Sequence, residues 1–316
     1  MTIKDIARLA NVSTATVSRI LNNSKKVKPE TRKRVMQIIQ DNNYHPNQVA
    51  RSLYKKKSKM IGVIVPDLSN AFYAKIIDGI QGVLQKNGYS ILISFSAGSN
   101  ADNYRKFINE FKQQNIDGII SSAFLSSTKI NLPLVMYDSA NIKDKVIRIA
   151  SNNTKGGQEC ANLLKKKVKS VIIQHLSLGL PTVRERISAI TGAFNKRKIN
   201  YQLIDINEYN IAEAAKSTLD SLNQHDAIIA VNDIYAAAII KEARNRSLAI
   251  PTDFQLVGYD NNDLAEYTDP TISTIDQQPY LIGKTAAKRL IALLKGNKSI
   301  NNSIIDVKTI KRQTTL

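Results

Sequence analysis

Cysteine, histidine and acidic residues are all scarce in this chain of 316 residues. Its one cysteine, Cys160, excludes an internal disulfide and suits a reducing compartment, and we expect it to be a small buried residue of a helix. The histidines His45, His175 and His225 are too dispersed to predict a metal site or a catalytic triad. Glycine-rich phosphate loops and the GxSxG nucleophile motif are absent. We therefore expect no catalytic residues, no metal and no cofactor.

Long hydrophobic runs are also missing. The apolar run 61–65 has the length of a strand rather than that of a membrane span. The first predicted helix carries Lys4 and Asp5, which argues against a signal peptide. We therefore expect a cytoplasmic protein, long enough for more than one domain with its own core.

Positive charge is concentrated at one end of the chain. Residues 1–60 hold fourteen lysines and arginines against three acidic residues, which gives +11 of the total net charge of +19. Lysine and arginine side chains that contact phosphates release counterions and supply much of the affinity for DNA. DNA is therefore the expected partner of this segment. A general excess of lysine accounts for the remaining charge.

Residues 2–22 read TIKDIARLANVSTATVSRILN, which predicts two short helices around a tight turn. Ala7 and Ala10 are small enough to let the second helix cross closely, and Ser13 is a suitable N-cap for that helix. Pro29 is placed to open a third helix. Such a segment is either a solvated helical bundle or a helix-turn-helix that reads DNA.

The second helix has two distinct faces. Its inward face consists of Val17, Ile20 and Leu21 at helical spacing. Its outward face is short and polar with one arginine, and consists of Thr14, Ala15, Ser18 and Arg19. A face of this kind suits the major groove of DNA.

Residues 43–59, NYHPNQVARSLYKKKSK, are too polar to fold alone, although Val49, Ala50, Leu53 and Tyr54 form one apolar face of a short helix. The register of TIKDIA, VSTATVSR, NYHPN and VARSL resembles the lac and galactose repressor family of bacterial transcription regulators. That resemblance implies a helix-turn-helix DNA-binding domain in residues 1–46, a hinge helix and linker in residues 47–59, and a two-lobed effector-binding and dimerisation domain in residues 60–316.

The DNA contacts that follow from this reading fall into three groups. We expect base edges to be contacted by Thr14, Ala15 and Arg19. We expect phosphates to be contacted by Ser13, Thr16, Ser18 and Asn22, with Thr2 as a further DNA contact. In the hinge helix, Ala50 and Leu53 are expected in the minor groove at the centre of a palindrome, beside Tyr54, where purine-type members have lysine.

From Met60 onward, predicted strands and helices alternate in two successive sets. This pattern predicts an α/β fold with parallel sheets wrapped by helices and divided into two lobes. Ligands of such sheets bind outside the carboxyl ends of the strands, where this chain carries aspartates and asparagines. Aromatic Phe72 and Tyr73 suit packing on a sugar ring, and Arg184 and Arg186 add hydrogen-bond donors.

This larger segment resembles the periplasmic sugar-binding fold that forms the effector domain of the same family. Carried over motif by motif from SNAFY, YD, RER, VND, GYD and TIDQQP, the resemblance implies an effector site made of Asn70, Phe72, Tyr73, Asp138, Arg186, Asn232, Asp260 and Gln277. Ser139 and Ala189 depart from the ribose-type and usual family residues, so the resemblance leaves the identity of the sugar open.

The sequence therefore predicts a sequence-specific DNA-binding regulator, a repressor of carbohydrate-utilisation genes controlled by a small sugar or sugar phosphate. One alternative is a catabolite-control-type regulator with a phosphocarrier protein as co-repressor, and another is a sugar-transport component. We also expect a homodimer on a palindromic operator. An apolar stripe of Ile76, Ile77, Ile80 and Leu84 offers a dimer surface. The sequence stops at KRQTTL without a leucine heptad that would join dimers, so we expect a dimer and not a tetramer.

Overall fold

The computed structural model describes residues 1–24, 26–44, 57–95, 101–122, 130–138, 146–164, 167–176, 180–207, 209–297 and 301–316. The chain divides into two compact units, Met1–Ser58 and Lys59–Leu316. Of the described helices, none combines the length and the apolar character needed to cross a membrane.

The first unit is a three-helix bundle. Its helices are α1 (Ile3–Leu9), α2 (Thr14–Leu21) and α3 (Pro29–Asp41). Ser13 caps α2, since its side chain accepts a hydrogen bond from the Thr16 N–H at 3.1 Å, and Pro29 occupies the first turn of α3. Ala7 and Ala10 are buried among the helices, together with Ile6, Val17, Ile20, Val35, Ile39 and Tyr44. The predicted helix-turn-helix and its inward face are confirmed.

The second unit contains two parallel sheets. The strands of the first sheet, in the first lobe, are β1 (Met60–Val65), β2 (Ser90–Phe95), β3 (Gly118–Ser121), β4 (Leu134–Tyr137), β5 (Ile147–Ser151) and β11 (Ser303–Ile305). Those of the second sheet, in the second lobe, are β6 (Ser170–His175), β7 (Asn200–Asp205), β8 (Ala227–Ile229) and β9 (Gln255–Val257). The order across the first sheet is β11-β5-β4-β3-β1-β2, and across the second it is β7-β6-β8-β9. The predicted α/β fold class is confirmed.

Helices cover both sheets, as the alternation predicted. They are α4 (Ala71–Lys86), α5 (Ala101–Gln113), α6 (Asn153–Leu163), α7 (Pro181–Arg197), α8 (Ile211–Asp220), α9 (Asp233–Asn245), α10 (Leu264–Tyr267) and α11 (Pro279–Leu294). A short 3-10 helix spans Leu222–Gln224. The stretch 303–310 contains two short strands. Its second part, β12 (Lys308–Ile310), pairs with β10 (Thr274–Asp276) in a separate antiparallel ladder.

The apolar stripe on α4 is covered by the protein itself, so the prediction that it forms a dimer surface was wrong. Ile76, Ile80 and Leu84 are fully buried, and Ile77 packs partly buried against the same core. The cause is a close crossing with α11, at which a Cβ on Gly79 would clash with the Tyr280 carbonyl. A periodic apolar face predicts burial but does not tell which partner covers it.

The second lobe places α6 directly on α7. A Cβ on Gly157 would clash with the backbone of α7, so glycine allows this close helix contact. Cys160 lies on the same helix α6 and is completely buried, which confirms the expectation for this residue. The glycine pair 156–157 therefore serves packing.

Candidate effector cavity and nucleic-acid interface

A cavity with a volume of about 200 Å³ opens where the carboxyl ends of the strands in both lobes face each other. The structure brings around it all eight side chains that the sequence proposed for an effector site. These are Asn70, Phe72, Tyr73, Asp138, Arg186, Asn232, Asp260 and Gln277. They come from six separate segments of the chain, so only the folded unit assembles them.

The first-lobe wall is built around the start of α4. Asn70 caps this helix, because its Oδ1 accepts a hydrogen bond from the Phe72 N–H at 2.9 Å. The rings of Phe72 and Tyr73 meet edge to face with centroids 5.1 Å apart. Asp138 follows β4 in the left-handed backbone region, at φ 47°. This wall therefore offers aromatic surface next to a carboxylate.

On the second lobe, Arg186 is held in place by an aromatic ring and an amide. Its guanidinium lies 3.5 Å above the centre of the Tyr259 ring, and its Nη2 donates to Asn153 Oδ1 at 3.3 Å. Its Nε is buried without a partner among the described residues. Arg184, in contrast, is exposed and does not line the cavity, so the sequence was wrong to pair it with Arg186. Residues two positions apart on a helix do not share a face.

Asp260 and Gln277 form a hydrogen-bonded pair in the wall. Gln277 Nε2 donates to Asp260 Oδ1 at 2.6 Å, and Gln277 Oε1 is buried without a partner among the described residues. Asn232 caps α9, since its Oδ1 accepts from the Ile234 and Tyr235 N–H groups. With Oδ1 engaged, its Nδ2 is the group left to donate to a ligand.

The cavity carries two carboxylates and one guanidinium. Burial raises the pKa of Asp138 to about 6, and the charge of Asp260 adds to this, while Arg186 opposes it. Burial also raises the pKa of Asp260, against the effects of Arg186 and the Gln277 hydrogen bond. Burial, with the nearby carboxylates, raises the pKa of Tyr73 far above its ordinary value, so this phenol stays a donor. The site thus combines carboxyl acceptors with a guanidinium and a phenol that donate hydrogen bonds.

The sequence missed other residues of the cavity. His175 is the last residue of β6 and Leu176 follows it, Tyr259 follows β9, and the apolar wall of α7 adds Val183, Ile187 and Ile190. The strand-end rule that found Asp138 and Asp260 would have found His175, because β6 ends there. His175 is buried and its Nδ1 has no partner among the described residues. In the described ranges, no group of His, Cys, Asp and Glu side chains is arranged to hold a metal ion.

The first unit presents the polar face of α2 that the sequence indicated. Thr14, Ala15 and Arg19 are exposed, and Arg19 makes no ion pair with described residues, so its guanidinium is available to DNA. Arg32 braces the end of α2 by donating to the Ile20 and Ser24 carbonyls. The reading face therefore stands on a fixed scaffold.

The side chains proposed to contact phosphates flank this face. Ser13 and Thr16 hydroxyls lie 3.0 Å apart, and Asn22 Nδ2 donates to the Ser18 carbonyl at 2.8 Å. Thr2 caps α1 in a capping box with Asp5. Ala50, Leu53 and Tyr54, proposed for the minor groove, lie outside the described residues, so the hinge contacts stay a prediction.

Comparisons with known proteins cover both units. Residues 2–47 match the family model described as bacterial regulatory proteins, lacI family, and residues 178–315 match the periplasmic binding protein-like domain. The ribose operon repressor of Bacillus subtilis is 33% identical over 99% of this chain and 98% of its own length.

Two solved structures of repressors are also similar to this chain. A periplasmic binding ribose operon repressor protein from Lactobacillus acidophilus is 60% identical, covers 82% of this chain and 99% of its own, and superposes with a TM-score of 0.80. The lac repressor dimer bound to operator and the anti-inducer ONPF, at 24% identity, shares the fold over 100% of this chain and 99% of its own, with a TM-score of 0.91.

A helix-turn-helix unit with an exposed reading face, joined to a two-lobed unit with a polar cavity, defines a DNA-binding regulator of transcription. The ribose operon repressor of Bacillus subtilis is 33% identical to this chain along nearly its full length, which narrows the class to transcriptional repressors. The chain belongs to the lacI family of bacterial regulatory proteins and is a DNA-binding transcriptional repressor.

Proposed function

We propose that this repressor controls a ribose-utilisation operon and that a neutral monosaccharide, with ribose as the first candidate, binds in the cavity between its lobes. One observation carries the proposal: the eight side chains chosen by motif line a single cavity. The ribose assignment is supported by the 60% identity to the Lactobacillus acidophilus ribose operon repressor. Occupancy of the cavity would change the affinity of the first unit for its operator.

The size of the cavity favours a monosaccharide. Pockets for drug-sized ligands occupy about 300–1,000 Å³, whereas this cavity measures about 200 Å³. Its walls alternate aromatic or aliphatic surface with carboxylate and amide groups, which suits a ring whose faces are apolar and whose edges carry hydroxyls. A disaccharide would need more room than the walls leave.

The charges in the cavity favour a neutral sugar over a sugar phosphate. Asp138 and Asp260 contribute two carboxylates, and among the described residues that line the cavity Arg186 is the only lysine or arginine. The guanidinium already contacts Tyr259 and Asn153. A phosphate brought into this cavity would lie beside two acidic side chains, and the buried guanidinium that could compensate its charge is already engaged.

The rival functions lack comparable support. The named repressor relatives match this chain across the DNA-binding unit as well, which a transport component would not need. A phosphocarrier co-repressor would dock on the surface and would leave the polar cavity unexplained. We propose no catalytic step, since binding alone suffices to shift a repressor between states. A cytoplasmic location follows from access to the operator and suits the free Cys160.

We also propose a homodimer that forms through the edge strands. Among the described strands, β2 and β7 are at the edges of their sheets. Ile93 and Phe95 on β2 are 40% and 56% exposed, and Tyr201 and Leu203 on β7 are also exposed. Exposed apolar edge strands call for a covering partner. A second copy would supply it and would pair two reading helices on a palindromic site.

Calorimetry and an operator-binding assay test the proposed function together. The purified chain would be titrated with D-ribose, D-xylose, D-glucose and ribose 5-phosphate, and operator binding would be followed by fluorescence anisotropy with and without each sugar. We expect a neutral pentose to bind and to change operator affinity. Binding of ribose 5-phosphate alone would contradict the charge argument, and no response to any of the four would reject the monosaccharide assignment.

A further inference from the structure

Asp233 is a fully buried carboxylate that does not line the cavity. It is the first residue of α9, and its two oxygens accept hydrogen bonds from two different segments of the chain. Oδ1 accepts from the Thr274 hydroxyl at 2.6 Å, and Oδ2 accepts from the Asn262 N–H at 2.8 Å. The acid therefore lies behind the turn that carries Asp260.

This turn has an unusual backbone. Asp260 and Asn261 both have positive φ, at 96° and 50°. Two successive residues of this kind are disfavoured and need support from their surroundings. The Thr274 hydroxyl accepts from the Asn261 N–H at 3.4 Å, while Asp233 accepts from the N–H of the next residue. Asp233 and Thr274 together satisfy two consecutive amides of the turn.

A helix cap would be the simpler role for Asp233, but α9 already has one. Asn232 accepts from the N–H groups of Ile234 and Tyr235. The Asp233 oxygens face the turn instead, and a Cβ on Gly258 would clash with Oδ1, so the chain leaves space for the carboxylate. Burial raises the pKa of Asp233 to about 7, a cost that the bonds from Thr274 and Asn262 reduce.

We propose that Asp233 is a positioning residue of the effector site, which acts through Thr274 and Asn262 to hold the left-handed turn that directs Asp260 into the cavity. The proposal rests on the proposed role of the cavity as a sugar site. Asn232 lines the cavity and its neighbour Asp233 does not, so the proposal gives Asp233 a function of its own.

Variants of Thr274 test the proposal with little risk to folding. Thr274→Val removes the hydroxyl but keeps the shape of the side chain, and Thr274→Ser restores the hydroxyl. We expect Thr274→Val to weaken D-ribose binding by about 10-fold, Asp233→Ala by about 10- to 100-fold, and Thr274→Ser to bind within about 3-fold of the wild type. Thr315→Val, which removes another buried hydroxyl of this lobe that bonds to Ser273, serves as the matched control.

Coupling to Asp260 distinguishes positioning from general stability. In an Asp260→Asn background, Thr274→Val should cost clearly less affinity than in the wild type, because the contact that it positions is already weakened. Operator affinity without sugar should be the same in all variants. Equal costs in both backgrounds, or a parallel loss of operator binding, would overturn the positioning role.

Amide hydrogen exchange tests the turn without any ligand. The Asn261 and Asn262 N–H groups should exchange at least about 10-fold faster in Thr274→Val and Asp233→Ala than in the wild type and in Thr315→Val. Unchanged exchange at both amides would reject the inference. If the wild type fails to bind D-ribose while these amides respond as expected, the proposed effector is wrong and the role of Asp233 in the turn stands.

Discussion

The two units place their functional side chains in opposite environments. On α2, Thr14, Ala15 and Arg19 are exposed and held only by their helix, whereas the cavity gathers Asp138 and Asp260 below the surface and raises the pKa of both. An exposed face can bind DNA because the charged phosphates of DNA supply much of the affinity. A neutral sugar has no net charge, so its site must exclude water and fix acceptors in advance.

This difference sets the kind of damage that each unit tolerates. An exposed reading face loses contacts one at a time when a side chain is truncated. A buried polar site fails more steeply, because removing one member leaves its partners unsatisfied. The largest effects should therefore come from the cavity, and the two functions should separate by mutation.

Asp260→Ala should produce the largest separation. The change removes the acceptor of the Gln277 amide and leaves a guanidinium with less compensating charge, so we expect effector binding to lose about 2–5 kcal/mol. Operator affinity without effector should remain. Calorimetry with D-ribose and anisotropy with operator DNA measure the two quantities, and the exposed Asp78→Ala on α4 is the control. A variant that responds at unchanged sugar concentration would remove Asp260 from the site.

Arg19→Ala should affect the other unit alone. We expect a loss of about 1–3 kcal/mol on the specific operator and a smaller loss on random DNA, as for one good base contact. Effector binding should be unchanged. Arg8→Ala is the control, since Arg8 is exposed on α1 and pairs with Asp5 at 3.2 Å. Equal losses on specific and random DNA would show that Arg19 contacts a phosphate and not a base.

Much of this contrast was predictable from the sequence. Helical spacing predicted the outward face of α2, because helix faces follow local periodicity. The eight side chains of the cavity came instead from the resemblance to the lac and galactose repressor family. The α4 stripe was misread, since the α11 that covers Ile76 lies two hundred residues further along the chain. The role proposed for Asp233 also depended on contacts with distant Asn262 and Thr274, for which the sequence carries no local signal.

Effector binding should weaken below about pH 6. Asp138, faced by Arg186 and by the carboxylate of Asp260, has a pKa raised to about 6 by burial, and its ionised form is the better acceptor for a hydroxyl. We expect an affinity loss of about fivefold between pH 6 and pH 5, measured by calorimetry, with Asp138→Asn as the control that flattens this step.

The stability of the second unit without bound sugar should rise, and not fall, as the pH is lowered. Because the folded pKa of Asp138 lies above its unfolded value, the folded state binds more protons between about pH 6 and pH 4, and Asp138 destabilises the fold less as the pH falls through this range. Thermal unfolding of Asp138→Asn should lack this contribution.

For sugar binding, an affinity of the wild type that rises on acidification would contradict the acceptor role of Asp138.

The smallest effect should come from the one ion pair that joins the two lobes beside the cavity in the described part of the chain. Lys75 on α4 donates to Asp263 Oδ1 at 3.0 Å and to the Asn261 carbonyl at 3.5 Å, so a first-lobe helix holds the turn that follows Asp260. Both side chains are substantially exposed, which limits such a pair to about 0–1 kcal/mol. Lys75→Met should weaken D-ribose binding by at most about 5-fold, less so at high salt. Lys86→Met, on the same helix at its exposed end, should have no effect, and the reversed pair Lys75→Asp with Asp263→Lys should recover part of the loss. If Lys75→Met and Lys86→Met bind ribose alike at low salt, the ion pair between Lys75 and Asp263 does not contribute to sugar binding.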